Sequence, residues 1–365
     1  MIPVNELARG YRLYQEEYEQ KALKVLRSGW YVLGKEVEQF ELEYANALGE
    51  GVYCAGVDNG LNAIRLGLHA CGIGAGDEVI VQANGYIATM LGITQNGGTP
   101  VFVEPDIYHN MDPDKIEAAV TEKTKAVLVT HLYGQATRMD KVMDICKKYG
   151  LMLFEDCAQS HFSTYQGTCT GLFGDAGFFS FYPTKNLGCF GDGGGIVSRN
   201  RELIEKIRVL RNYGSDVKYH NIVPGFNARL DELQAGLLRV KLSHMPELLA
   251  NRRRIARAYL SGIHNPLVEL PLLADDVVPV WYLFVVRVSD QTGFRKFLHA
   301  HGVATDVHFP TPPHLQPALA YLGHGAGAFP IAEKDCRTIV SLPMMDDMSE
   351  QETETVIRVV NAYEG

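Results

Sequence analysis

Four short apolar runs, "EVIVQA" (78–83), "TPVFVE" (99–104), "KAVLVTHL" (125–132) and "LMLFED" (151–156), alternate with segments of helical length. No other feature restricts the fold as much. Runs of this length, rich in Val, Leu and Phe, read as strands buried on both faces. The segments 86–96, 112–120 and 139–149 between them carry helical periodicity. In the second, "DPDKIEAAV" sets Asp112 at the N-cap and Pro113 at the first helical position, where a missing N–H costs nothing. The alternation predicts an α/β fold, a mostly parallel sheet covered by helices on both faces. Ligands on such sheets gather at the carboxyl ends of the strands.

A chain of 365 residues exceeds one ordinary core, and the pattern changes near residue 246. "PELLANRRRIARAYLSGI" (246–263) reads as a long basic helix joining two units. "VWYLFVVRV" (280–288), "GFRKFLHAHG" (293–302) and "QETETVIRVVNAY" (351–363) then read as a smaller α+β unit. The expected division is a large unit over 1–245 and a small one over 246–365.

A formal net charge of −9 argues against a nucleic-acid partner, which calls for a basic face; a local cationic cluster can still serve an acidic ligand. The seven cysteines are scattered without a CxxC pair, as in reduced cytosolic proteins. No apolar run reaches membrane-spanning length, and "MIPVNELARGYRLYQEEYEQ" has no signal-peptide core. A cytoplasmic protein with no membrane partner is expected.

Two stretches carry chemistry. "LFEDCAQSHF" (153–162) ends a strand with Glu155, Asp156, Gln159 and His161, polar groups where this architecture binds ligands. Cys157 and His161 alone, with no second His/Cys pair, do not make a metal site, so no metal is expected. In "FSFYPTKNLGCFGDGGG" (179–195) the one basic residue, Lys185, lies between aromatics and glycines. A weakly solvated lysine is a usable amine nucleophile. A lysine with a remote aspartate is the pairing expected for pyridoxal phosphate. Each residue alone has a plainer reading, a snorkelling surface lysine and a strand cap. "GVDNGLNAIRLGLHA" (56–70) runs from an Asn-Gly turn into a helix, which aims the N–H groups of Gly60, Leu61 and Asn62 at an anion. Ser180 adds a hydroxyl, and Tyr86 an aromatic face for a planar ring. "GDGGG" lacks GxGxxG spacing and leads into a strand, which excludes a dinucleotide loop.

"EDCAQSH", "FSFYPTKNLGCFGDGGGIV", "LRNYGS" and "GFNARLDELQAGLLRVKL" together resemble the DegT/DnrJ/EryC1/StrS family, and the likeness runs nearly end to end. The resemblance implies the fold type I, aspartate-aminotransferase-like architecture of pyridoxal-phosphate-dependent sugar aminotransferases. It implies Lys185 as the Schiff-base lysine, Asp156 as partner of the ring nitrogen and Gln159 beside the ring hydroxyl. It also implies Tyr86 stacked on the ring, and Ser180 with Gly60, Leu61 and Asn62 as the cradle of the phosphate. Asn227 corresponds to a residue reaching the phosphate from a neighbouring subunit, which implies a homodimer with shared sites. L-glutamate is the implied amino donor. "DVHFPTPPHLQPALAYLG" (306–323) resembles the subgroup that aminates C-3 of dTDP-linked 3-keto-6-deoxyhexoses, which puts Tyr31, His161, Tyr182, Arg229 and His308 near the sugar nucleotide. C-4 amination of a 4-keto sugar, or a non-catalytic cofactor-binding regulator, are the alternative readings. The chain departs from the family in reading "NAR" where "NSR" is usual, at Ala228.

Overall fold

The computed structural model describes residues 1–365. Seven strands form the central sheet: β1 (Tyr53–Val57), β2 (Glu78–Gln82), β3 (Thr99–Val103), β4 (Thr124–Thr130), β5 (Met152–Asp156), β6 (Ala176–Ser180) and β7 (Gly194–Ser198). Across the sheet they lie in the order β1, β7, β6, β5, β4, β2, β3. The four runs read as strands are β2 to β5, and the helices between them are Ile87–Thr94, Pro113–Ala119 and Met139–Tyr149. Asp112 caps the second through Asp114 N–H, with Pro113 at its start.

Neighbours from β3 to β6 pair in parallel. β7 alone runs against both of its neighbours, β1 and β6. The cause is local: the loop 181–193 contains no helix, and a parallel return requires a long crossover. That loop therefore stays at the carboxyl end of β6, and it carries Lys185.

Helix Gly60–Ala70 lies on one face of the sheet, packing Ile64 and Leu68 with Phe178 of β6 and with Ile204 and Ile207 of helix Arg201–Leu210. A Cβ on Gly67 would fall 2.1 Å from Phe178 Cε1, so glycine is what lets this helix settle on the sheet. Val142 and Ile145 cover part of the other face, and Phe40, Tyr44 and Leu238 pack in a further core.

The second unit holds an antiparallel sheet of β8 (Val268–Glu269), β9 (Phe284–Val288) and β10 (Ile339–Leu342). Its core joins Phe284, Val286, Phe294, Val356 and Val360. The run read as a strand over 280–288 is one only from Phe284, because Trp281 at φ 51° turns the chain before it.

The expected division at 245/246 falls inside a single helix, Glu232–Gly262, with Pro246 in its interior. Proline there removes one backbone hydrogen bond and costs about 3 kcal/mol. Burial on both flanks outweighs it: Leu238, Met245 and Leu248 pack in the large unit's core, and Ile255, Ala256 and Tyr259 in the small one's. The first residues also join the second unit. Ile2 exchanges backbone bonds with Gly302 and Ala304, and Met344 N–H donates to Val4.

Candidate active site

A cavity of about 540 Å³ opens where β4, β5 and β6 end, with their last residues, Thr130, Asp156 and Ser180, in its wall. Lys185, Gln159, Tyr86, Gly60 and Leu61 line it too. The sheet brings together residues that lie more than a hundred positions apart in the chain.

Asp156 is 5% exposed. Its Oδ2 accepts from Thr89 Oγ1 at 2.7 Å, and its Oδ1 from Ala158 N–H at 3.1 Å. Burial pushes this carboxyl above the usual aspartate range, and the Thr89 hydroxyl, the Ala158 N–H and the Lys185 charge pull it part of the way back. An under-solvated carboxylate of this kind favours a cationic N–H placed against it.

Lys185 is fixed at the backbone by its N–H donating to Tyr182 O at 2.8 Å. Its Nζ lies 4.5 Å from the centroid of the Tyr282 ring and 3.5 Å from the Tyr282 hydroxyl. Burial works to raise the Tyr282 hydroxyl, but Lys185 together with Thr184 brings it below the ordinary tyrosine value.

The start of helix Gly60–Ala70 approaches β6 closely. A Cβ on Gly60 would lie 2.7 Å from Ser180 Cβ, so only glycine sets these N-terminal amides beside the Ser180 hydroxyl. Helix N–H groups and a hydroxyl around one space suit a phosphate. Asn62 does not contribute its amide: that N–H is held by the capping Asn59 Oδ1 at 2.8 Å, and its side chain donates to Asp58.

Gln159, 4% exposed, accepts from Tyr133 N–H at 2.7 Å. Tyr86 presents a half-exposed ring, 4.8 Å between centroids from Phe309. Tyr182 and His308 also reach the cavity. His308 shares a 2.9 Å hydrogen bond with Ser341 Oγ, and burial lowers its pKa.

Four residues expected near the sugar or phosphate lie elsewhere in this chain. His161 is fully buried; its Nε2–H donates to Ser180 O and its Nδ1 accepts from Tyr44 OH, both at 2.9 Å. Burial depresses its pKa to about 3, so it is a neutral brace behind β6, turned inward where an outward residue was expected. Tyr31 donates to Leu26 O at 3.1 Å, away from the cavity. Arg229 donates to Asn212 Oδ1 at 2.9 Å and sits 5.2 Å from the Tyr213 ring. Asn227 is exposed, in a backbone bridge with Asn212. Ala228 between them is 1% exposed and packs in an apolar core, where a serine hydroxyl would need a partner.

Sequence reasoning missed Thr89, Tyr282 and the full role of Glu155. Thr89 follows Tyr86 by three positions at the start of helix Ile87–Thr94, a spacing that reaches the same face. Tyr282 gave no signal, being 97 positions from Lys185. Glu155 accepts from the N–H groups of Gly171, Phe173 and Gly174 and pairs with His131 Nε2. These contacts anchor the strand that presents Asp156.

The residues fit pyridoxal phosphate: an amine for its aldehyde, a buried carboxylate for its ring nitrogen, an aromatic face, and a glycine-opened helix start for its phosphate. Fold and cavity together define the class, the fold type I pyridoxal-phosphate proteins. Within it, the chain belongs to the DegT/DnrJ/EryC1/StrS aminotransferase family, whose profile matches residues 13–361. It is 49% identical over 364 residues to a dTDP-3-amino-3,6-dideoxy-alpha-D-galactopyranose transaminase of Aneurinibacillus thermoaerophilus, covering 100% of this chain and 99% of the relative. It is 42% identical to a dTDP-3-amino-3,4,6-trideoxy-alpha-D-glucose transaminase of Streptomyces venezuelae, covering 99% and 96%. Among solved structures it superimposes on S. venezuelae DesV in complex with a ketimine intermediate, with a TM-score of 0.96 at 42% identity over 99% of this chain and 97% of that one.

Proposed function

We propose that this protein is a pyridoxal-phosphate-dependent aminotransferase that moves an amino group from L-glutamate to C-3 of a dTDP-linked 3-keto-6-deoxyhexose, giving the 3-amino-3,6-dideoxy sugar nucleotide. The observation that carries the reading is the meeting of Lys185 and the buried Asp156 in one cavity with the Gly60–Ser180 cradle. The nature of the sugar follows the 49% identical relative.

Pyridoxal phosphate, when bound, supplies an electron-withdrawing ring that stabilises negative charge on the carbon losing its proton. Asp156 would hold the ring nitrogen protonated, and Thr89 Oγ1 and Ala158 N–H orient that carboxylate and favour its ionised form against the effect of burial. Gly60 and Leu61 N–H with Ser180 Oγ would take the phosphate, Tyr86 would cover the ring face, and Gln159 would lie beside the ring hydroxyl. Lys185 Nζ acts as base, taking the proton from the reacting carbon and returning it to its neighbour. The return half of the cycle uses the same groups in reverse.

Asn227, Arg229 and Tyr31 serve a second copy of the chain in this account. Asn227 is exposed and stands at the base of the 213–223 segment, whose Tyr213, Val217, Tyr219 and Ile222 are also exposed. A two-fold homodimer lets each copy complete the other's site, with Arg229 offering forked donors to the diphosphate. Seven unpaired cysteines suit a reducing cytoplasm, and no helix is long and apolar enough to cross a membrane.

The test is product analysis. With ¹⁵N-labelled L-glutamate and a dTDP-linked 3-keto-6-deoxyhexose, NMR of the product should find ¹⁵N bonded to C-3. A label at C-4 from a 4-keto sugar alone would overturn the position, and no glutamate-driven spectral change would overturn the enzyme reading.

A further inference from the structure

Tyr282 approaches the reacting amine of Lys185 from a segment far away in sequence, and the segment is held from several sides. Val280 N–H donates to Gly134 O at 2.9 Å and Leu283 N–H to Tyr133 O at 3.3 Å, tying it to the turn after β4. Arg252 donates to the carbonyls of Trp281 and Tyr282 at 3.0 and 3.3 Å, tying it to the long helix. Asn186 Nδ2 donates to Val280 O at 3.0 Å, which links it to the loop of Lys185 itself. Trp281 turns away into the small unit's core. Tyr282, 8% exposed, is left facing the lysine, with its hydroxyl 3.2 Å from Thr184 Oγ1 and 3.5 Å from Lys185 Nζ.

We propose that Tyr282 is the positioning residue for Lys185: its hydroxyl, set by Thr184, and its ring face together fix where the free amine waits. The inference rests on the aminotransferase reading above. A lysine side chain has many rotamers, and confining its tip has an entropic cost. In each half-cycle the free amine must take one proton from carbon, hold it as a new N–H bond while the electron pair stays on the carbon side, and give the same proton to the neighbouring carbon. An amine already parked beside the cavity makes that transfer from a single place. Before transfer the Tyr282 hydroxyl orients the free amine, and once the amine has taken the proton the resulting ammonium gains cation–π attraction over the same ring, 4.5 Å from its centroid. Nothing in the "VWYLF" stretch alone announces this role.

Tyr282→Phe keeps the ring and removes the hydroxyl; Thr184→Val leaves Tyr282 in place but frees its hydroxyl. The first readout needs no turnover: the rate at which apo-protein takes up pyridoxal phosphate, followed by absorbance in stopped flow. Uptake should slow about tenfold in Tyr282→Phe, the upper end of what one neutral hydrogen bond supplies, and less in Thr184→Val. The second is the isotope effect with L-[2-²H]glutamate. It should rise in Tyr282→Phe as proton transfer becomes limiting, with KM for glutamate unchanged. Thermal unfolding of each variant establishes that the fold persists. Wild-type uptake rates and an unchanged isotope effect in folded Tyr282→Phe would overturn the proposal. If wild-type protein itself took up no cofactor, the aminotransferase reading would fail instead.

Discussion

Thr89→Val probes the electrostatics of the buried carboxylate, because the substitution nearly keeps the shape and replaces the donating hydroxyl by a methyl group. In the wild type Asp156 has two donors, Thr89 Oγ1 on one oxygen and Ala158 N–H on the other. The variant leaves Oδ2 bare at a site 5% exposed to solvent. A hydrogen bond to a charged group is worth about 1.5–3 kcal/mol, and that is the expected loss of apo-protein stability at about pH 8. Burial already holds the Asp156 carboxyl above its ordinary value, and the Thr89 bond lowers it, so the variant's carboxyl titrates higher still. A raised folded pKa favours the protonated form, and its stability contribution is lost as pH rises through that pKa. The variant's extra penalty therefore develops on the alkaline side and shrinks to the value of a neutral hydrogen bond, about 1 kcal/mol or less, once the carboxyl is protonated. Urea unfolding of apo-protein, followed by circular dichroism at several pH values, reads this directly. A penalty that is the same at every pH, or smaller than about 0.5 kcal/mol at about pH 8, would refute the reasoning.

Other substitutions probe other parts of the account. The His161 ring, depressed to about 3 by burial, stays neutral across the ordinary working range. Its contribution to stability is present above the unfolded imidazole value and is lost only as pH falls toward its folded value. The NMR signal of its ring should be flat from about pH 8 to about pH 5, and a titration in that window would contradict the buried placement. Asp346 pairs with Arg252 at 2.6 Å and with Lys241 at 3.3 Å. Burial opposes its charge, and the two cations together outweigh it. Asp346→Asn should cost about 3–5 kcal/mol, since it leaves buried cations unpaired; calorimetry showing under about 1 kcal/mol would contradict that. Gly60→Ala puts a methyl 2.7 Å from Ser180 Cβ. Cofactor affinity by titration should fall about tenfold or more, from overpacking worth about 1–3 kcal/mol, and unchanged affinity would remove Gly60 from the phosphate cradle.

The sheet was legible where local pattern and burial agree. The runs at 78, 99, 125 and 151 became strands because parallel strands are apolar on both faces, and the Asp112 cap with Pro113 marks the start of one intervening helix. The reversal of β7 was not readable as pattern, since it depends on a loop without a helix. Pro246 misled for a related reason: local chemistry starts a helix there, and burial on both sides carries the helix through. Within the site, Lys185, Asp156, Gln159, Ser180, Gly60 and Tyr86 reach one cavity because each stands at a strand end or just beyond it. His161 stands beyond a strand end as well, yet turns inward to brace Ser180. Whether a polar residue faces the ligand or the core is settled by its neighbours in space. Thr89 and Tyr282 went unread for the same reason, since their partners Asp156 and Lys185 lie 67 and 97 positions away.

Covalent attachment of the cofactor is the most direct test of the central chemistry. Protein loaded with pyridoxal phosphate is reduced with borohydride, digested and mapped by mass spectrometry. The cofactor mass should appear on the peptide containing Lys185, and Lys185→Ala should keep its fold yet show no fixed cofactor and no turnover. A label on a different lysine, or full activity in Lys185→Ala, would contradict the account.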